Sequence, residues 1–144
     1  MDVTYPVLRR HKFLLRGKQL AGSTTEPRRN NMATNDHAET VRAWLGAVDE
    51  RRFSDAQALL TDDWVDTGPD SETTRDDFVD TARAMLGDSD LRLTIHTQVV
   101  SNNHVATYLS WIGEAVRVDA LRLDAVRDGK LCDSHFSITP ASVG

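Results

Sequence analysis

The hydrophobic spacing changes once along this chain, from a helical repeat to strict alternation, and the change falls at Leu91. Before it, Val41, Trp44, Leu45 and Val48 recur at i, i+3, i+4 and i+7, which predicts an amphipathic helix capped by Asn35 or Asp36. A second, shorter helix is expected over 54–60, with Ser54 as cap and Asp55 in its first turn. Trp64-Val65-Asp66 reads as a brief extended piece closed by the turn residues Thr67-Gly68-Pro69-Asp70. Thr73 or Thr74 then opens a third helix, with Phe78, Ala82, Met85 and Leu86 on its inner stripe and Gly87 as its stop.

From Leu91 onward, Leu91, Leu93, Ile95, Thr97 and Val99 alternate with Arg92, Thr94, His96 and Gln98. Ser101-Asn102-Asn103, Gly113-Glu114 and Asp128-Gly129 separate four such runs, and the Asn-Asn and Asp-Gly pairs predict antiparallel hairpins. Helices first and strands after is an α+β layout: three N-terminal helices packed on one face of a curved, mostly antiparallel sheet. Such a sheet forms a cone whose mouth is a natural small-molecule pocket.

Charge divides the chain in two. Residues 1–31 hold seven Lys/Arg against two acids, whereas residues 32–144 hold ten against twenty. The first stretch reads as a basic, disordered arm, or as sequence upstream of a start at Met32; the second reads as one folded domain. An acidic body does not attract a polyanion, so no nucleic-acid partner is expected. No apolar run approaches the length of a membrane span, and no uninterrupted apolar core follows Arg9-Arg10 as a secretory signal requires, so a soluble, cytoplasmic protein is expected. The single cysteine, Cys132, excludes an internal disulfide and a multi-cysteine metal cage, and reads as a small buried hydrophobe. His96, His104 and His135 fall on scattered strand phases, so neither a metal site nor a cofactor is expected.

Several segments in this order carry a resemblance: Val41-Arg42-Ala43-Trp44-Leu45, Leu59-Leu60-Thr61-Asp62-Asp63-Trp64-Val65-Asp66, Arg75-Asp76-Asp77-Phe78, the strand 105–113 and the hairpin 126–131. Over residues 36–138 the chain resembles the SnoaL-like branch of the nuclear transport factor two-like superfamily, whose fold is a cystatin-like α+β barrel. The superfamily includes polyketide cyclases, ketosteroid isomerases, epoxide hydrolases, dehydratases and non-catalytic binders, so the resemblance implies the fold and not one activity.

Carried over position by position, the resemblance implies a mixed site. The Arg and Asp of the family's hydrolases fall on Leu109 and Trp111, and the late carboxylate of its cyclases and hydrolases falls on Phe136. Asp66 falls on the general-base Asp of the isomerases if the first strand takes a two-residue gap. Trp44 falls on their oxyanion-donating Tyr, and an indole N–H can donate one hydrogen bond. The same anchor turns Val118, Ala120, Arg122 and Asp124 toward the cavity, with Arg122 in place of a cyclase His. An Arg-x-Asp at Arg117-Val118-Asp119 lies on the wrong strand for the hydrolase pair.

The candidate catalytic residues are therefore Asp66 as base, with Trp44 or Arg122 stabilising an enolate. Trp64, Leu109, Trp111, Asp124, Ser134 and Phe136 are the candidate ligand-binding residues. The implied activity is a cofactor-independent isomerase or cyclase acting on a small, mostly apolar, carbonyl-containing ring compound. Plainer readings stand beside these. Asp66 can cap its own turn, Arg122 and Asp124 can pair at a solvated rim, and the three Trp can be core. A non-catalytic small-molecule-binding domain, or a homodimeric assembly domain, is the alternative. A homodimer would pair outer sheet faces through Leu121 and Leu123.

Overall fold

The computed structural model describes the backbone of residues 25–139, with side chains from residue 36 onward. Helix α1 spans Thr25–Asp49, α2 Phe53–Gln57 and α3 Arg75–Leu86; strands β1 Val65–Thr67 and β2 Glu72–Thr74 lie between α2 and α3. Strands β3 Arg92–Ser101, β4 His104–Ile112, β5 Arg117–Arg127 and β6 Lys130–Thr139 complete the described chain. They form one curved, open sheet in the order β2-β1-β6-β5-β4-β3, antiparallel throughout except where β1 runs parallel to β6.

The elements follow from local chemistry, with instructive departures. Helix α3 begins as expected: Thr74 accepts the Asp77 N–H, Asp76 and Asp77 sit at the positive end of the dipole, and Gly87 follows the last turn. Its buried face is Phe78 and Ala82, but Met85 points outward at 66% exposure, so the predicted stripe is one residue too wide. Helix α2 starts at Phe53, not Ser54, and Arg52 at its cap makes no side-chain capping bond. Helix α1 runs back to Thr25, past the expected cap at Asn35 or Asp36. Pro27 falls in its first turn, where a missing N–H leaves no bond unmade. The helix therefore crosses the expected boundary between residues 31 and 32, while residues 1–24, with the arm's basic centre, lie outside the described residues.

At its C-terminus α1 closes through two tight bonds, Arg52 N–H to the Ala47 carbonyl at 2.8 Å and Arg51 N–H to the Val48 carbonyl at 3.0 Å. This is the Schellman pattern, and Arg51 occupies its left-handed position with φ of 63°, where glycine is usual. The Arg51 side chain offsets that cost. Its guanidinium donates to the carbonyls of Asp49, Leu86, Ser89 and Leu91 and to Ser89 Oγ, at 2.8–3.1 Å, tying α1 to the end of α3 and the start of β3.

The hairpins fall where the turn residues predict, with Asn102, Asp128 and Gly129 all at positive φ. Two β-bulges interrupt the alternation. On β3, Ile95 pairs with Leu109 and Thr97 with Tyr108, so His96 is an extra residue. The strand's inner face thereby changes phase: Leu93, Ile95 and Val100 pack on the core, and Thr97 and Val99 do not continue the series. On β6 the extra residue is Cys132, which lets both Leu131 and Ser134 face inward and be fully buried. Cys132 itself is only half-buried, its Sγ 3.5 Å from the Ala125 carbonyl, and burial pushes its thiol pKa up.

The core lies between the helices and the inner sheet face. Trp44 of α1, Trp64 before β1 and Phe78 of α3 form its aromatic centre, with ring centroids 5.7–6.3 Å apart and Trp64 edge-on to Phe78. Truncating either Trp to Ala would cost about 3–5 kcal/mol. Leu60 joins this centre to the sheet by a parallel bridge to Leu131, which extends the β1–β6 edge.

Candidate active site

The one parallel pairing in the sheet builds the site. It sets Asp66 of β1 opposite Ser134 of β6, and Ser134 in turn faces Asp124 of β5. One step further along the strands, Arg122 faces Phe136. Strand phase turns Arg122 and Asp124 inward, as expected, and leaves Leu123 on the outer face at 43% exposure.

Arg122 lies between two carboxylates. It reaches Asp124 through Nη2 at 3.0 Å and Nε at 3.4 Å, and Asp66 through Nη1 at 3.3 Å and Nη2 at 3.4 Å. Its guanidinium carbon lies 4.7 Å from the Trp44 ring centroid and 5.8 Å from that of Phe136. Phe136 is held close on the other side by Gly68, where an added Cβ would come within 2.4 Å of the ring. Behind Asp124, Ser134 Oγ donates to Oδ1 at 2.5 Å and accepts the Trp64 indole N–H at 2.9 Å.

The two acids differ in setting. The Asp124 side chain is completely buried, whereas those of Asp66 and Arg122 keep 13% and 10% exposure. Burial pushes the Asp66 carboxyl above the ordinary aspartate range; Arg122 opposes this without overcoming it, and the Asp124 charge adds to the rise. For Arg122, burial works against the charge, yet Asp124 and Asp66 together hold its pKa above the ordinary arginine value. Asp66 is thus a carboxylate that takes up a proton more readily than a surface aspartate. Trp44 adds a complementary group. Its Nε1 is buried and has no hydrogen-bond partner among the described residues, an unmet donor that costs about 1–3 kcal/mol until an acceptor arrives.

The sequence candidates therefore divide. Asp66, Trp44, Arg122, Asp124, Ser134, Phe136 and Trp64 come together. Leu109 is buried in the core beside Ala120, and Trp111 pairs with Val118. Trp111 thus lies four residues along β5 from Arg122, about 13 Å away at strand rise. At that end the inner face is thinly covered: Trp111 and Val118 are half-buried, and Ile138, in register with Ala120, is 46% exposed. The Arg122–Asp124 pair appears as the plainer sequence reading allows, but with Asp124 fully buried and not at a solvated rim. The Arg122–Asp66 bonds were not legible from spacing: they depend on a parallel contact between segments almost seventy residues apart, which leaves no local signal.

A second polar cluster lies on the outer face. His96 Nε2 is 2.7 Å from Ser110 Oγ, which donates to Asp119 at 2.5 Å, and Arg117 pairs with Asp119 at 3.0 Å. Among the described residues, no three His, Cys, Asp or Glu are grouped so as to hold a metal ion, and no helix is long and apolar enough to cross a membrane.

An open, mostly antiparallel sheet with helices on its inner face defines an α+β protein of the nuclear transport factor two-like type, and its buried Asp–Arg–Asp group draws Asp66 from β1 and Arg122 and Asp124 from β5. Residues 41–134 match the SnoaL-like domain, and the chain belongs to that family. No curated protein matches the sequence. Among solved structures, a protein assigned as a ketosteroid isomerase from Kribbella flavida superposes with a TM-score of 0.68 at 18% identity, covering 77% of this chain and 83% of that one. A LEH-like epoxide hydrolase of M. tuberculosis gives 0.64 at 22% identity, covering 74% and 85%. IdmH of Streptomyces antibioticus, assigned as a polyketide cyclase, gives 0.63 at 16%, covering 71% and 91%. At these identities the likeness shows the fold.

Proposed function

We propose that this protein is a cofactor-independent acid–base isomerase or cyclase acting on a small, mostly apolar, carbonyl-containing ring compound. One observation carries the reading: a largely buried carboxylate with raised proton affinity, Asp66, is bonded to an arginine stacked on Trp44, whose buried N–H has no partner among the described residues. Asp66 removes a proton alpha to the carbonyl, and the Trp44 N–H donates to the oxygen on which negative charge grows. Arg122 takes a different part from the oxyanion clamp expected of it. Its bonds run to Asp66 and Asp124 and aromatic rings lie near it, so it tunes Asp66 and leaves the oxyanion to Trp44. Phe136 walls the ring compound, and the thinly covered strip toward Ile138, Val118 and Trp111 is its entry, the mouth of a cone-shaped sheet. The relatives assigned as isomerase and cyclase support this reading through their shared fold.

The test is product analysis by chromatography and mass spectrometry on the full chain, with cyclic enones, polyketide-like ketones and epoxides. Turnover by wild type that falls by about 10²–10⁴-fold in Asp66→Asn supports the assignment. Equal turnover by the variant refutes it.

The second reading is a binding or assembly domain without catalysis. It is favoured by the self-satisfied pairing of Arg122 with two carboxylates and by the exposed Leu123 on the outer face, through which two copies would pair as a homodimer. A ligand retained in native mass spectra, with no product from any substrate, favours this reading.

A further inference from the structure

Ser134 lies outside the acid–base pair, yet its hydroxyl is fully buried and bonded on both sides. A serine hydroxyl has one proton. Because Trp64 Nε1–H donates to Ser134 Oγ, that oxygen accepts on one side and its proton is directed to Asp124 Oδ1, at 2.5 Å. The relay has one direction: indole to hydroxyl, hydroxyl to carboxylate. Asp124 then meets Arg122 already holding one donor, and Arg122 divides its N–H groups between Asp124, at 3.0 Å for the shorter contact, and Asp66, at 3.3 Å.

We propose that Ser134 is a positioning residue: by holding Asp124 it fixes how the Arg122 guanidinium is shared between two carboxylates, and so governs how readily Asp66 takes up a proton. This deepens the general-base reading of Asp66 and rests on it for its catalytic meaning. The sign follows from the geometry. Without the Ser134 donor, the fully buried Asp124 carries more uncompensated charge and draws Arg122 toward itself. Asp66 then loses part of its cation and sees a stronger like charge, and both effects favour its protonated form. The other charged or titratable groups near Asp66 are His135 on β6, one residue past its Ser134 partner, and Glu72 on β2, opposite Thr67. Neither touches the relay, and the substitution leaves both in place.

The experiment is a carboxyl ¹³C NMR titration of the full chain, following the Asp66 resonance in wild type, Ser134→Ala and Ser134→Thr. It needs no substrate. Ser134→Ala moves the Asp66 midpoint up by about half a pH unit to one, and Ser134→Thr, which keeps the hydroxyl, stays near wild type. A folded Ser134→Ala protein whose Asp66 midpoint does not move overturns the proposal. If Ser134→Ala does not fold, Ser134→Cys, nearly isosteric but a weak donor, is read in its place against the same criterion. Where a substrate is turned over, the acid limb of the kcat profile moves in the same direction. Where none is, the isomerase reading fails while the titration still decides the role of Ser134.

Discussion

Two arginine–aspartate groups in this small domain use the same chemistry to opposite ends. At the close of α1, Arg51 donates almost entirely to backbone carbonyls, and the neighbouring Asp49 accepts from Arg92 and from the Leu93 N–H. In the sheet, Arg122 donates to carboxylates, and among the described residues the Asp66 oxygens accept side-chain hydrogen bonds from Arg122 alone. The proton affinities diverge accordingly. Burial opposes the charge of Asp49, but Arg92, the Leu93 amide and Arg51 outweigh it and hold its carboxyl below the ordinary range; at Asp66 burial prevails and the carboxyl lies above it. An arginine beside an aspartate therefore does not by itself make a salt bridge of one kind. The number of other donors and the share of water left to the acid decide the outcome.

The contrast can be broken in four places. The largest effect is on rate: Asp66→Asn removes the proposed base and, in the product assay, turnover falls by about 10²–10⁴-fold, whereas Asp49→Asn leaves turnover near wild type. Next, Arg122→Met leaves the buried Asp124 without its cation and lowers stability by about 3–5 kcal/mol in urea unfolding at neutral pH. The double variant Arg122→Met with Asp124→Asn recovers part of that loss, because the stranded charge is gone. Third, Arg51→Ala forfeits the carbonyl bonds while keeping the left-handed backbone, for about 2–3 kcal/mol. Arg51→Gly is less destabilised by about 1 kcal/mol, since glycine adopts that conformation freely.

The smallest effect is the most diagnostic. Asp49, with its folded pKa lowered, contributes stability above its unfolded pKa and loses it as the pH falls through the folded value. Asp66, with its folded pKa raised, contributes stability below its unfolded pKa and loses it as the pH rises through the folded value. Melting temperatures followed from acid to neutral pH should diverge between Asp49→Asn and Asp66→Asn. The first variant loses ground to wild type as the pH rises, and the second gains. Parallel curves would erase the distinction between the two groups.

How much of this was legible in the sequence follows the range of the interactions. The third helix with its Thr74 cap and the hairpin turns at Asn102 and Asp128-Gly129 depend on neighbours within a few residues. The inward phase of Arg122 and Asp124 came through the family resemblance, since alternation alone allows Leu121 and Leu123 to face inward instead. The bulges at His96 and Cys132 were not legible, because one extra residue leaves the alternating pattern plausible on either side while exchanging the faces beyond it. Nor was the division of Arg122 between two acids, which needs β1 laid parallel to β6. The Trp44 N–H could be anticipated as a donor only through the family resemblance; its lack of a partner among the described residues is a tertiary fact.

Strand β1 is three residues long and meets β6 through only two register pairs, while Arg122 and Asp124 sit within the eleven residues of β5, paired on both sides. The proposed proton acceptor, Asp66, and its arginine partner thus belong to units of unequal cohesion. In hydrogen exchange the β1 amides would open well below the global unfolding free energy, while those of β5 would wait for it. Each such opening parts Asp66 from Arg122 and carries the edge strand β2 with it, while β3 to β6 stay paired. The proposed chemistry is hinged at this short seam, where a bound ring compound, by bridging both halves, would close the seam and report itself as slowed exchange.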